Sequence, residues 1–152
     1  IRYILDKHHV NLDTPFDGST LGAELLIPTT LYVRNVLTIL EKHTIHAMAH
    51  ITGGGIIENL PRVLPPFTQA KIDVTQWPQP AIFHYLQDLA QLDSFEMYNT
   101  FNMGIGYICV VNKNDVDDIV TSFQQVNQTA YIIGDIQKSS KSQATVEWEN
   151  LH

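Results

Sequence analysis

Residues 45–65, IHAMAHITGGGIIENLPRVLP, set an apolar run before three consecutive glycines and an amphipathic segment. Ile45, Ala47, Met48, Ala49 and Ile51 have the composition of a short buried strand, interrupted by His46 and His50. Three adjacent glycines cost backbone entropy, and a chain keeps them where φ must be positive or where another group must approach the main chain closely. Beyond them Ile56, Leu60, Val63 and Leu64 recur at helical spacing, leaving Glu58, Asn59 and Arg62 on other faces. A strand, a glycine loop and a helix start thus follow one another within some twenty residues. Such a loop offers free N–H groups to an anion, although a plain tight turn explains the glycines as well. The spacing is neither that of a phosphate loop ending in Gly-Lys-Ser/Thr nor that of GxGxxG.

Upstream of this stretch, Leu31, Val33, Val36, Leu37 and Leu40 predict an amphipathic helix over 30–42, separated by Pro28 from a short apolar turn over 21–27. Residues 10–20, VNLDTPFDGST, read as a loop whose last four residues cap that turn. The carboxylates of Asp13 and Asp17 suit a hard cation such as magnesium, but turn chemistry accounts for them equally. Ile1, Ile4, Leu5 and His8 share one helical face with no capping residue before them. The chain therefore reads as starting inside a helix, as a piece of something longer.

Downstream, Pro61 either ends the first turn after the glycines or opens a second short helix to Leu64. A strand is predicted over 70–74, then a Trp77-Pro78-Gln79-Pro80 turn into a helix lined by Ile82, Tyr85, Leu86 and Leu89. Ser94 is the predicted cap of a further helix. A strand over 104–112 is entered through Gly104 and Gly106, and residues 115–125 form the clearest helix, with Val116, Ile119, Val120 and Phe123 on one face. Asp115, Asp117 and Asp118 suit its N-terminal dipole as solvated charges. Strands over 130–136 and 145–148 flank a polar loop. About five strands and four or five helices without strict alternation predict an α+β domain, with helices packed on a mixed β-sheet.

At 152 residues the chain has the usual length of one domain. A formal net charge of −7, with nine scattered basic residues, argues against nucleic acid as a partner. Cys109 is the only cysteine and lies in an apolar run, which predicts a buried structural thiol and excludes an intrachain disulfide. No apolar segment reaches membrane-spanning length and no signal peptide is evident, so a cytoplasmic location is expected. His8, His9, His43, His46 and His84 are too dispersed for a zinc site.

The string HITGGGIIENLPRVLP (50–65) closely resembles the C-terminal signature of the phosphoribosylformylglycinamidine cyclo-ligase (aminoimidazole ribonucleotide synthetase) family. Residues 21–37 (LGAELLIPTTLYVRNVL), 96–111 (EMYNTFNMGIGYICVV) and 130–136 (AYIIGDI) resemble its other segments, in order, so the resemblance covers nearly the whole chain. Where the family pattern has Pro-Thr-basic-Ile/Leu-Tyr, this chain has Pro28-Thr29-Thr30-Leu31-Tyr32, without the basic side chain for a phosphate contact.

The resemblance implies an ATP-dependent ligase of purine biosynthesis that closes formylglycinamidine ribonucleotide to aminoimidazole ribonucleotide. ATP and Mg2+ would be bound mainly by an N-terminal domain upstream, and residues 1–152 would be the C-terminal domain of a two-domain, homodimeric enzyme. On that expectation His50 is the catalytic candidate, beside Thr52 and the main-chain donors of Gly53, Gly54 and Gly55. Asn59 either binds ligand or braces the chain, and Arg62 either clamps phosphate or joins a surface ion pair. Asn102 with Gly104 forms a second candidate wall, or simply a turn. A selenophosphate synthetase, a formylglycinamidine ribonucleotide synthase, and a non-catalytic nucleotide-binding module are the alternatives.

Overall fold

The computed structural model describes residues 1–151. An opening helix α1 (Arg2–Lys7), with no side-chain cap, leads into residues read above as a plain loop. They instead form a small antiparallel ribbon of β1 (Pro15–Phe16) and β2 (Ser19–Thr20). Asp17 and Gly18 at its tip have φ of 44° and 80°, the positive pair that a tight two-residue hairpin requires. Thr20 then caps α2 (Leu21–Leu25), its hydroxyl accepting from the Ala23 N–H at 3.2 Å.

Helix α3 (Val33–Leu40) buries Val36 and Ile39 against α7 (Val116–Gln125), which contributes Ile119 and Phe123 to the same small core. The strand over the central stretch is β3 (Ala47–His50), and it pairs antiparallel with β5 (Tyr107–Val110), placing His50 opposite Tyr107. Helix α4 (Gly55–Asn59) follows the glycines, and Pro61 opens a 3-10 turn, Pro61–Val63. The missing proline N–H explains the break, since the ladder cannot continue through it.

A mixed three-stranded sheet is built around β4 (Thr68–Asp73), with β6 (Gly134–Lys138) antiparallel on one edge and β7 (Thr145–Glu149) parallel on the other. The alternation of β4 buries Ala70 and Ile72. Those side chains join Ile51, Ile56, Leu60, Trp77, Met97 and Met103 in the larger core. Full burial of an Ile or Leu side chain contributes roughly 1.5–3 kcal/mol, so this cluster is what fixes α4 against the sheet.

Helices α5 (Ala81–Ala90) and α6 (Ser94–Thr100) complete the α+β fold. The cap of α6 is Asp93 rather than Ser94: its carboxylate accepts from Glu96 N–H at 2.8 Å, and Glu96 returns the bond to Asp93 N–H at 3.1 Å. Two further differences concern the strands. Residues 130–133 lie outside β6, and pairing begins only at Gly134, where a side chain would collide with the Lys71 carbonyl. The described residues hold seven strands, two of them only two residues long, in three sheets instead of one.

Candidate functional site

Because β3 and β5 are antiparallel, the chain leaves β3 where it enters β5. The Ile51 N–H donates to the Gly106 carbonyl at 2.9 Å, so the loop over 52–55 and the turn over 102–106 emerge at the same end of this ribbon. His50, Thr52, Gly53, Gly54, Gly55, Asn102 and Gly104, proposed from different parts of the sequence, thus gather around one edge.

The glycine loop is a tight turn with definite requirements. Gly55 N–H donates to the Thr52 carbonyl at 3.1 Å, and Gly54 and Gly55 have φ of 88° and 59°. A side chain on Gly55 would collide with the Tyr98 carbonyl and come within 2.9 Å of that of Phe101, so its absence lets α4 pack on α6. Gly53 differs: it is exposed, and a Cβ there would meet open space. Among the described residues no protein acceptor takes the Gly53 or Gly54 N–H.

Asn59 is buried and braces this loop from beneath. Its amide nitrogen donates to the Gly55 carbonyl at 2.7 Å and to that of Gly53 at 3.2 Å, while its oxygen accepts from Arg62 at 3.4 Å. With the Gly53 carbonyl held, the Gly54 N–H in the same planar trans peptide points away from Asn59. Arg62 is exposed and forms an i,i+4 ion pair with Glu58 at 3.5 Å. Such an exposed pair contributes little to stability.

On the facing turn, the Asn102 side-chain oxygen accepts from the Gly104 N–H at 3.1 Å. Gly104 has φ of 97° and lies against Pro80, where a Cβ would approach to 2.7 Å. The Met103 carbonyl between them accepts from the buried Trp77 indole at 2.8 Å, anchoring the turn in the core.

His50 is exposed at the end of β3, and its imidazole packs against two phenol rings that the sequence reading did not include in the site. Tyr32 lies 6.0 Å away at 65° and Tyr107 6.2 Å away at 34°; the two tyrosines are 5.3 Å apart. Tyr107 was findable once the two strands are paired, since it is the cross-strand neighbour of His50. Tyr32 comes from another helix end, and no spacing rule connects it. Burial, with a contribution from Cys109, pushes the Tyr107 phenol up, so it stays a hydrogen-bond donor at neutral pH. Cys109 is half-buried rather than fully buried as its apolar run predicts, and desolvation still moves its thiol to about 11, leaving it protonated and a poor nucleophile.

Gly104, Gly106, Tyr32 and Tyr107 also line a cleft of about 830 Å³, together with residues 128–136. Its volume suits a small ligand, yet the loop over 52–55 lies outside it. The turn over 102–106 therefore separates two surfaces, the exposed glycine loop with His50 and the cleft. Among the described residues no group of three or more His, Cys, Asp or Glu side chains is placed to hold a metal ion. No helix is long and apolar enough to cross a membrane.

Curated relatives match along most of the chain. Phosphoribosylformylglycinamidine cyclo-ligase of Coxiella burnetii (strain RSA 331 / Henzerling II) is 43% identical over 146 residues, 96% of this chain and 42% of that protein. The protein of the same name from Pseudothermotoga lettingae is 50% identical over 122 residues, covering 80% and 36%. That of Nitrosococcus oceani is 45% identical over 136 residues, covering 90% and 38%. The chain thus spans only about two fifths of the length of the relatives it matches. The family model described as AIR synthase related protein, C-terminal domain, matches residues 1–147, and the chain belongs to that family.

Proposed function

We propose that this chain is the C-terminal part of an ATP-dependent cyclo-ligase that closes formylglycinamidine ribonucleotide to aminoimidazole ribonucleotide. The observation that carries the reading is the convergence of the braced glycine loop and the turn over 102–106 beside His50. The names of the relatives support the reaction class.

ATP with Mg2+ supplies the phosphorylation that turns the formyl oxygen into a leaving group. This chain holds no cluster of metal ligands among its described residues, so no magnesium ligand is assigned to it. The part of its own residues is to bind and orient. The free N–H groups of Gly53 and Gly54, with the exposed Thr52 hydroxyl, are the donors this chain offers an anion such as a phosphoryl group, beside the Glu58 carboxylate that lies against Gly54. Asn59, through the Gly53 carbonyl, keeps the Gly54 N–H pointed away from itself. His50, whose ring nitrogens bond no protein group among the described residues, orients the amidine and accepts the proton released as the amidine nitrogen attacks the formyl carbon. Arg62, next to the loop, offsets the charge of Glu58 at its rim.

The remainder of the active site belongs, in this reading, to an upstream domain of the length seen in the relatives. Leu26, Ile27, Leu31, Val33 and Leu37 are exposed along 26–37, an apolar surface of the kind that a partner domain covers. A homodimer of the intact enzyme and a cytoplasmic location belong to the same proposal.

The test is phosphate release from magnesium ATP in the presence of formylglycinamidine ribonucleotide, for this chain and for a form extended upstream to the relatives' length. Turnover only in the extended form is expected. Turnover by the short chain would end the half-site reading. Silence in both would redirect the assignment to a selenophosphate synthetase, a formylglycinamidine ribonucleotide synthase or a binding module.

A further inference from the structure

We propose that Tyr32 is a positioning residue that, together with Tyr107, fixes the His50 imidazole beside the glycine loop, and that Gly106 is glycine to admit it. The proposal rests on the reading of His50 given above.

Three observations carry it. The rings of Tyr32, His50 and Tyr107 lie at mutual centroid distances of 5.3–6.2 Å, within the range of favourable aromatic packing. The His50 ring nitrogens have no protein partner among the described residues, whereas His43 and His46 are each held by a hydrogen bond, to Ser122 at 2.8 Å and to Asn112 at 2.9 Å. Ring packing is therefore what orients His50, and it leaves both nitrogens for a ligand. The third observation is Gly106. Its φ lies outside the left-handed region, so its backbone does not call for glycine. A Cβ there would collide with the Tyr32 hydroxyl and come within 2.9 Å of the ring carbon bearing it. The missing side chain makes room for this one phenol, reached from the N-terminal end of α3.

Position at this ring controls rate more than affinity, because a misplacement of about 1 Å at a reacting group costs on the order of 100-fold in turnover. Tyr32→Phe keeps the ring and should keep function. Tyr32→Ala removes it. Gly106→Ala displaces it, and adding Tyr32→Phe to Gly106→Ala removes the colliding oxygen and should restore part of what is lost.

The experiment has two arms. In this chain, imidazole proton and nitrogen NMR signals of His50 are compared among the four variants and the parent. A changed His50 ring-current shift, with only the Tyr107 contribution left, is expected for Tyr32→Ala, a similar change for Gly106→Ala, retention for Tyr32→Phe, and partial recovery in the double variant. In the upstream-extended form, the variants that move His50 should lower kcat about 10- to 100-fold with KM nearly unchanged. An unmoved His50 signal in Tyr32→Ala, or a Gly106→Ala effect that Tyr32→Phe does not lessen, would overturn the proposal. So would full turnover by Tyr32→Ala where His50→Ala is inactive. Full turnover by His50→Ala would instead remove the catalytic reading beneath it, and with it the purpose of the positioning.

Discussion

Gly55 and Gly53 are two residues apart and answer to different physics. Gly55 combines a φ of 59° with carbonyls of α6 where its side chain would stand, so Gly55→Ala strains the turn and forces α4 and α6 apart. Overpacking of this kind costs about 1–3 kcal/mol, and urea denaturation of Gly55→Ala should show a loss of that order. Gly53→Ala, facing open space, should stay within about 0.5 kcal/mol of the parent. Equal losses in the two variants would contradict the described turn. The sequence displayed three identical glycines and no means of ranking them, because the difference lies in what Tyr98 and Phe101 bring from more than forty residues away. The same holds for Asn59: a ligand contact and a local brace share one spacing, and only the burial and the two carbonyl bonds distinguish its observed role.

Elements with a long period were legible, and short ones were not. The apolar face of α7 is visible in Val116, Ile119, Val120 and Phe123, and the observed helix spans Val116–Gln125. The ribbon of β1 and β2 has strands too short to alternate, so only its Asp17-Gly18 turn could have announced it. The apolar residues 130–133 have strand composition, yet the start of β6 is set by the close crossing of Gly134 over the Lys71 carbonyl. At α6 two neighbouring cap-forming residues competed, and the position of Glu96 three residues after Asp93 decides between them by closing a capping box. Asp93→Ala should therefore lower stability by about 1 kcal/mol in urea denaturation. An unchanged urea midpoint would argue that the box carries no weight.

At the scale of the whole molecule, burial has a consequence for pH. Cys109 is shifted to about 11 and Tyr98 to about 12, both chiefly by desolvation of their charged forms, although a hydrogen bond from Gln79 partly offsets the Tyr98 shift. Their folded values lie above their unfolded ones, so the native state holds protons that the unfolded chain gives up first. The stability they contribute is complete below the unfolded values of about 9 and 10 and is lost as pH rises through 11 and 12. The unfolding free energy from urea denaturation should fall between about pH 8 and 11 by an amount on the order of 2 kcal/mol for Cys109, and Cys109→Ala should flatten that decline. A stability independent of pH over this range would refute the desolvation of this half-buried thiol. The central strand has a different consequence, one that concerns synthesis. Both neighbours of β4 come from the last twenty residues of the described chain, through the registers Thr68↔Lys138 and Gln69↔Thr145. At a ribosomal rate of about 5–20 residues per second, β4 waits on the order of 4–15 s with both edges bare. Lys71 and Asp73 place charge on the strand during that interval, which discourages nascent chains from pairing with one another. Lys71 then finds its partner in Glu149 at 3.0 Å, so the charge that guards the unfinished strand joins the finished sheet as an ion pair.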